Sequence, residues 1–227
     1  MNKGITKLVS FIILVLLSGC TTINSNKYYS YRVSDEGVFA ISPAYNASHK
    51  TLEVIGADQK TFVDLGEGYA IDSRFVYFRG YIILDADPKT IKVIEDTYAK
   101  DKNRVYLEGR EIVDALPADF ATIKNKKGII FNHYPYSRDS KSVFYEGKKV
   151  PVCDLSSFKL ADKIYKNWAE DSDCIYAEGK KLQVEDKSTF EFIDRGYWHN
   201  GVEVFYKNKQ LEGASVETFK IFRKFHG

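Results

Sequence analysis

From residue 31 onward the apolar positions of the chain recur in register. With Tyr31, Tyr69, Tyr98, Tyr136, Trp168 and Tyr197 taken as position zero, a β-branched aliphatic follows seven residues later in every copy: Val38, Val76, Val105, Val143, Ile175, Val204. The next residue is always aromatic: Phe39, Tyr77, Tyr106, Phe144, Tyr176, Phe205. In five copies position eleven is Gly80, Gly109, Gly147, Gly179 or Asn208, and position fourteen is Ile83, Ile112, Val150, Leu182 or Leu211. Position twenty-two is Ile91, Phe120, Phe158, Phe190 or Phe219. The first copy carries about nine extra residues near Pro43 and regains the pattern in a stretch ending at Phe62. A 22-residue spacing kept through five copies marks internal repeats.

Each position predicts a piece of structure. Adjacent strand residues point to opposite sides, so the Val-aromatic pair predicts a strand covered on both faces. Asp72, Asp101, Asp139, Asp171 and Asn200 stand at position three, where short polar side chains cap tight turns by accepting backbone N–H groups. Glycine or asparagine at position eleven, after a polar residue, predicts the positive φ of a hairpin turn. Residues 87–91 read Asp-Pro-Lys-Thr-Ile, with counterparts at 58–62, 154–158, 186–190 and 215–219. Asp as N-cap and Pro in the first turn predict one helical or 3₁₀ turn that buries the Phe, followed by a short strand such as 92–94 or 191–193. A unit of roughly 30 residues cannot bury its own face, so neighbours must stack. The expected fold is all-β: six tandem β-rich repeats of about 30 residues with short helical or 3₁₀ turns, stacked into one elongated or curved domain. A propeller-like closed array is the alternative; the units are short for blades of about 40–45 residues.

Residues 1–19 read as an export signal, expected as an N-terminal helix: Lys3 and Lys7, a ten-residue apolar stretch, then small residues. Such a stretch is too short to span a bilayer, which takes about 20 residues. Leu17-Ser18-Gly19-Cys20 resembles the lipobox of bacterial lipoproteins. That resemblance implies diacylglyceryl attachment to the Cys20 thiol, cleavage after Gly19 and Cys20 as the acylated N-terminus. A cysteine thiolate is well suited to attack an activated lipid donor, and several acyl chains anchor a protein firmly at about 0.8 kcal/mol per buried CH₂. An ordinary signal with a coincidental cysteine is the alternative. Residues 20–30 then form the lipidated cysteine and a polar tether, and 31–227 the repeat domain. Thr21 follows the cysteine where lipoproteins retained in the inner membrane usually carry Asp, which by resemblance favours the outer membrane in an organism that has one.

The third copy, Tyr98-Ala99-Lys100-Asp101-Lys102-Asn103-Arg104-Val105-Tyr106, resembles the repeat of the DKNYY family, and the other copies are degenerate forms of it. The resemblance runs over about 31–227. It implies a bacterial exported protein of repeated β-rich units. It brings no biochemical activity and no functional residue.

Composition narrows the function classes. The apolar and charged fractions, 44% and 28%, are those of a globular chain. Removing Lys3 and Lys7 from the 33 basic residues leaves 31 against 31 acidic ones, so the mature chain is neutral and predicts no nucleic-acid partner. His49, His133, His199 and His226 occupy different repeat positions without metal-ligand spacing, so neither a metal nor another cofactor is expected. The recurring aspartates lack the alternate carboxylates of a calcium loop and read as turn caps. No P-loop, dinucleotide fingerprint or G-x-S-x-G elbow is present. The recurring aromatics read as the packing code of the array. Two loops break the period, 42–50 and 124–135, and insertions in repeat proteins are where partners bind; the second reads equally as an extra strand with a solvated turn. The expected function is therefore non-enzymatic: a membrane-anchored envelope protein presenting its repeat surface to a protein or a glycan. The rival is an envelope enzyme acting on a cell-wall polymer with carboxylates from different repeats, such as Asp139 and Asp171. Cys153 and Cys174, at positions seventeen and six of adjacent copies, form an even pair in an exported chain and are candidates for a disulfide. Strand alternation leaves open whether position six points outward and position seventeen inward, so free thiols remain the alternative.

Overall fold

A computed structural model describes residues 29–43, 50–124, 135–161, 167–184 and 186–221. The predicted signal and its helix, Cys20 and the tether up to Tyr28 lie outside the described residues, as do the centres of both period-breaking loops.

The chain forms six antiparallel sheets in sequence order, the first three-stranded and the rest four-stranded. Sheet one holds β1 (Ser30–Ser34), β2 (Gly37–Ile41) and β3 (Thr51–Glu53); sheet two holds β4 (Val63–Gly66), β5 (Tyr69–Ile71), β6 (Val76–Phe78) and β7 (Tyr81–Ile83). Sheet three runs through β8 (Lys92–Glu95), β9 (Tyr98–Lys100), β10 (Val105–Leu107) and β11 (Arg110–Glu111). Sheet four comprises β12 (Ala121–Thr122), β13 (Tyr136–Arg138), β14 (Val143–Tyr145) and β15 (Lys148–Val150). Sheet five comprises β16 (Lys159–Leu160), β17 (Trp168–Glu170), β18 (Ile175–Ala177) and β19 (Lys180–Lys181). Sheet six closes the series with β20 (Glu191–Asp194), β21 (Tyr197–His199), β22 (Glu203–Tyr206) and β23 (Lys209–Ser215).

The sheets are out of phase with the sequence repeat. The strand that follows each buried Phe does not fold back on its own copy; it pairs with the position-zero strand of the next, as Val63 does with Ile71 and Lys92 with Lys100. Tight turns with left-handed backbone make this possible, at Glu67–Gly68, Asp96–Thr97 and Arg195–Gly196. Each repeat therefore contributes three strands to its own sheet and lends its last to its successor. The expected helical turns are single hydrogen-bonded turns, and among the described residues only Lys187–Thr189 is a 3₁₀ helix.

Alternation within the strands gives every inner sheet two buried faces. Positions zero, seven and fourteen look toward the next sheet, positions one and eight toward the previous one. Tyr98, Val105 and Ile112 thus pack with Phe144 of sheet four, while Ala99 and Tyr106 pack with Tyr69, Val76 and Ile83 of sheet two. Position one is small in most copies because it lies opposite the aromatic of position eight, as in the pairs Ala70↔Tyr77, Ala99↔Tyr106 and Ala169↔Tyr176. Among the described residues five apolar clusters result, each joining two consecutive sheets, and none joins the sixth sheet to the first. The array is an open stack. The Phe of position twenty-two sits between two aromatics and carries ring contact across the seam: Tyr31–Phe62–Tyr77, Tyr98–Phe120–Phe144 and Tyr136–Phe158–Tyr176.

The second hairpin is a two-residue turn with both residues left-handed at Glu108–Gly109, Glu146–Gly147 and Glu178–Gly179. Glycine answers a second need there. A Cβ on Gly109 would lie 2.7 Å from Phe78 Cβ, and one on Gly179 would lie 2.5 Å from Tyr145 Cβ. At Lys207–Asn208 the positive φ falls on Lys207 and not on the expected Asn208.

Candidate functional site

The recurring aspartates are consumed by the seams. In the third copy Asp101 Oδ1 accepts the N–H groups of Asn103 and Arg104, which makes it the expected turn cap. Its Oδ2 accepts the Asp87 N–H from the preceding repeat and the hydroxyl of Tyr106. The second and fifth copies repeat the arrangement: Asp72 Oδ2 takes the Asp58 N–H and the Tyr77 hydroxyl, and Asp171 Oδ2 takes the N–H groups of Cys153 and Asp154 and the Tyr176 hydroxyl. Asp139 lacks a tyrosine partner, since position eight is Phe144, but holds Leu116, Lys141 and Ser142 in the same way. All four are buried. Burial alone would discourage their ionisation; in Asp72, Asp101 and Asp171 the convergent donors outweigh it and hold the carboxyl below its usual range. Burial and the adjacent carboxylate together push the Tyr77, Tyr106 and Tyr176 hydroxyls upward.

A second tie comes from position zero. The Tyr69 hydroxyl donates to the Thr97 carbonyl (2.8 Å) and accepts the Gly109 N–H (3.0 Å), fastening both tight turns of the next repeat. Tyr31 does the same to Gly68 and Gly80, and Tyr136 to Asn167 and Gly179. These recurring aromatic residues and acids are thus engaged in cohesion. Asp139 and Asp171, the pair considered for cell-wall chemistry, each sit in a seam with both oxygens accepting backbone N–H groups.

The remaining candidates divide as follows. The structure joins Cys153 to Cys174 across the seam between the fourth and fifth repeats, with Sγ atoms at 2.08 Å and Cα atoms 6.1 Å apart. The faces are the reverse of the arrangement that alternation left open: Cys153 at position seventeen is exposed and Cys174 at position six is buried. Asp171 lies close enough to complete a three-ligand cluster with the sulfurs, but its oxygens are already engaged. His199 Nδ1 accepts the Gly201 N–H and its Nε2 faces Glu191 Oε2 at 3.5 Å. His49, His133 and His226 fall outside the described residues. The first irregular loop is pinched shut at its base, where Ser42 N–H donates to the Lys50 carbonyl and Lys50 N–H to Ser42 Oγ. At the second, Ile123 N–H donates to the Tyr136 carbonyl, and Lys124 pairs with Glu95 at 2.9 Å.

What differs between repeats lies on the last strand of each sheet. At position twelve the third to sixth copies carry Arg110, Lys148, Lys180 and Lys209, all exposed; the second carries Tyr81, 68% exposed, and strand pairing puts Leu52 at the equivalent place in the first. At position fifteen stand Ile55 (82% exposed), Leu84 (81%) and Val113 (70%), followed by Pro151, Gln183 and Glu212. Charged side chains are the usual protection of an exposed sheet edge. The first two edges carry it only at Glu53. Between them runs a groove of about 510 Å³, walled by Leu52, Phe78, Tyr81 and Ile82 and lined by Ser42 and Lys50 from the base of the first loop. Tyr29 also lines it and sits over the Arg79 guanidinium at 5.3 Å, while Arg79 pairs with Glu108 at 3.0 Å. The corresponding groove between the second and fourth copies is lined by Arg79, Glu108, Arg110, Glu111, Glu146 and Lys148 and is far more polar. This contrast was legible in the sequence as a column of the repeat, but only after the structure showed position fifteen to be outside.

An open stack of three- and four-stranded β-meanders, sealed by Asp and Tyr ties and carrying an apolar edge at one end, is the class of protein that these features define. Two overlapping matches to the DKNYY family, over residues 7–110 and 69–134, together span more than half of the chain, and the chain belongs to that family. The same sheet recurs well beyond residue 134, through β23. Comparisons with curated proteins and with solved structures return no match.

Proposed function

We propose that the chain is a bacterial lipoprotein, acylated at Cys20 and held by the tether up to residue 30, whose repeat array acts in the cell envelope as a non-enzymatic binding or scaffold module for a protein or a glycan. Thr21 after the cysteine favours the outer membrane in a cell that has one. One observation carries the reading of the array: the chemistry-bearing residues that recur in the repeats serve their seams, whereas the surface that varies from copy to copy is an exposed strand edge, the kind of feature a partner reads. The Cys153–Cys174 pairing fits an exported chain, because disulfides persist in oxidising compartments. Among the described residues no helix is long and apolar enough to cross a membrane; in this reading the attachment is the lipid on Cys20. Metabolic labelling with a fatty-acid analogue tests it. The wild-type chain should take up label, and Cys20→Ala should leave an unlabelled, unprocessed or soluble precursor. Undiminished label in the variant would overturn the anchor. Pull-down from envelope extract, compared between the wild type and a Lys180→Glu/Lys209→Glu variant of the distal edges, tests the binding role: a partner captured by the wild type and lost from the variant supports it, and no captured partner counts against it.

A further inference from the structure

We propose that the apolar edge of the first two repeats lies on the lipid surface to which Cys20 attaches the chain, so that the array stands on the membrane by its N-terminal end. The inference rests on the anchor reading above and adds an orientation to it. Three observations converge. Ile55 and Leu84 are among the most exposed aliphatic side chains described, and they stand at equivalent places just past consecutive edge strands that carry Leu52 and Tyr81, so they line one side of the stack. The column turns polar with distance from the N-terminus, to Gln183 and Glu212 at position fifteen and to Lys180 and Lys209 at position twelve. Finally, Tyr29 lines the groove between these two edges. It stands nine positions after Cys20, a reach of at most about 30 Å.

A lipid surface explains this distribution better than strand addition does. Edge strands β3 and β7 are three residues long, so an added strand would gain few main-chain bonds. Aliphatic side chains flanking a tyrosine suit the interfacial layer, where an apolar body is buried and a polar tip stays wet. Arg79 and Lys50 line the groove, where Arg79 already pairs with Glu108, so the contact is expected to be apolar first and only weakly dependent on lipid charge.

A photo-crosslinking amino acid placed in intact cells, in separate full-length variants, at Leu84, at Ile55 and at the equivalent distal site Gln183 tests the orientation. All three positions are exposed, so folding should survive. Irradiation should give phospholipid adducts at 84 and 55 in several-fold excess over 183. Equal yields at the three positions, adducts to another protein, or adducts to a second copy of the chain would each overturn it. Fatty-acid label on Cys20 is read in the same samples. A labelled chain without lipid adducts at 84 and 55 overturns the orientation alone; an unlabelled chain found in the soluble fraction overturns the anchor and the orientation with it.

Discussion

Asp101 shows how one carboxylate can be both a local and a long-range device. Oδ1 closes the turn, and Oδ2 reaches the backbone of the previous repeat and the Tyr106 hydroxyl. Asn200, its counterpart in the sixth copy, separates the two roles: Oδ1 still accepts the N–H groups of Val202 and Glu203, but the amide donates to Glu203 Oε2. Asp101→Asn should therefore keep the turn and lose the tie, costing about 1–3 kcal/mol in thermal or urea unfolding. An unchanged stability would show that the tie contributes nothing. The same carboxylates set a pH dependence. Asp72, Asp101 and Asp171 have folded pKa values below their unfolded value of about 3.9, so their contribution is complete above that value and is lost as pH falls through the folded pKa. The melting temperature should be nearly flat down to about pH 5 and drop below about pH 4, with a shallower drop in Asp101→Asn. The turn-capping role was legible in the sequence because it depends on the aspartate and its spacing. The tie to the previous repeat was not, because its partner is a backbone N–H that any residue supplies, as Asp87, Leu116 and Asp154 show.

The repeating strand and the two hairpin turns were readable from the Val-aromatic pair and the glycine of position eleven. The strand exchange between copies was hidden for a physical reason: it depends on left-handed turns such as Asp96–Thr97 that contain no glycine, and periodicity says nothing about which strand a neighbour pairs with. Position one gives no signal of its own, because an alanine reads as neutral until the aromatic across from it is known. Inside and outside can be tested directly. Val105 is fully buried and Lys102 exposed, so Val105→Asp should destabilise by several kcal/mol and Lys102→Ala by no more than about 0.5 kcal/mol. The turns make a finer test. Gly147, Gly179 and Gly109 share a positive φ near 70°, but a Cβ on Gly147 would meet nothing closer than 3.5 Å. Gly147→Ala should then cost the conformational penalty of about 1–2 kcal/mol. Gly179→Ala should cost a further ~1–3 kcal/mol of overpacking against Tyr145. Equal losses would mean that the seam yields at no cost.

In an open stack each repeat is stabilised by its two neighbours, so overall stability is a sum of unit and seam contributions and the weakest seam opens first. The fourth seam is crossed by every device the chain uses: the Tyr136 hydroxyl, Asp171, the Phe158 ring and the Cys153–Cys174 pair. Cross-linking residues 21 apart stabilises by roughly 3 kcal/mol on the chain-entropy estimate. Thiol counting on the unfolded, non-reduced mature domain should find no free thiol, and two would show that the bond is absent in the cell. The fifth seam is different. Position zero is Trp168, which has no hydroxyl to fasten the next turns, and position three is Asn200, whose amide turns inward to its own copy. What remains is apolar stacking, Trp168 and Phe190 against Trp198, with Trp198 parallel to Phe205 at 4.0 Å, and the exposed Lys207–Glu178 pair at 2.7 Å. Each missing hydrogen bond is worth about 0.5–1.5 kcal/mol, and surface ion pairs return little. Native-state hydrogen exchange should accordingly show β21 and β22 opening at lower free energy than the equivalent strands β9 and β10, whose seam with the second repeat carries both the Tyr69 hydroxyl and the Asp101 tie. Replacing Asn200 with Asp supplies an acceptor for the Asp186 N–H and should slow exchange in β21 and β22 while leaving β9 and β10 unchanged. Protection of the sixth repeat equal to that of the third would mean that the aromatic stack alone matches the polar ties, and that the array unfolds as a single cooperative unit.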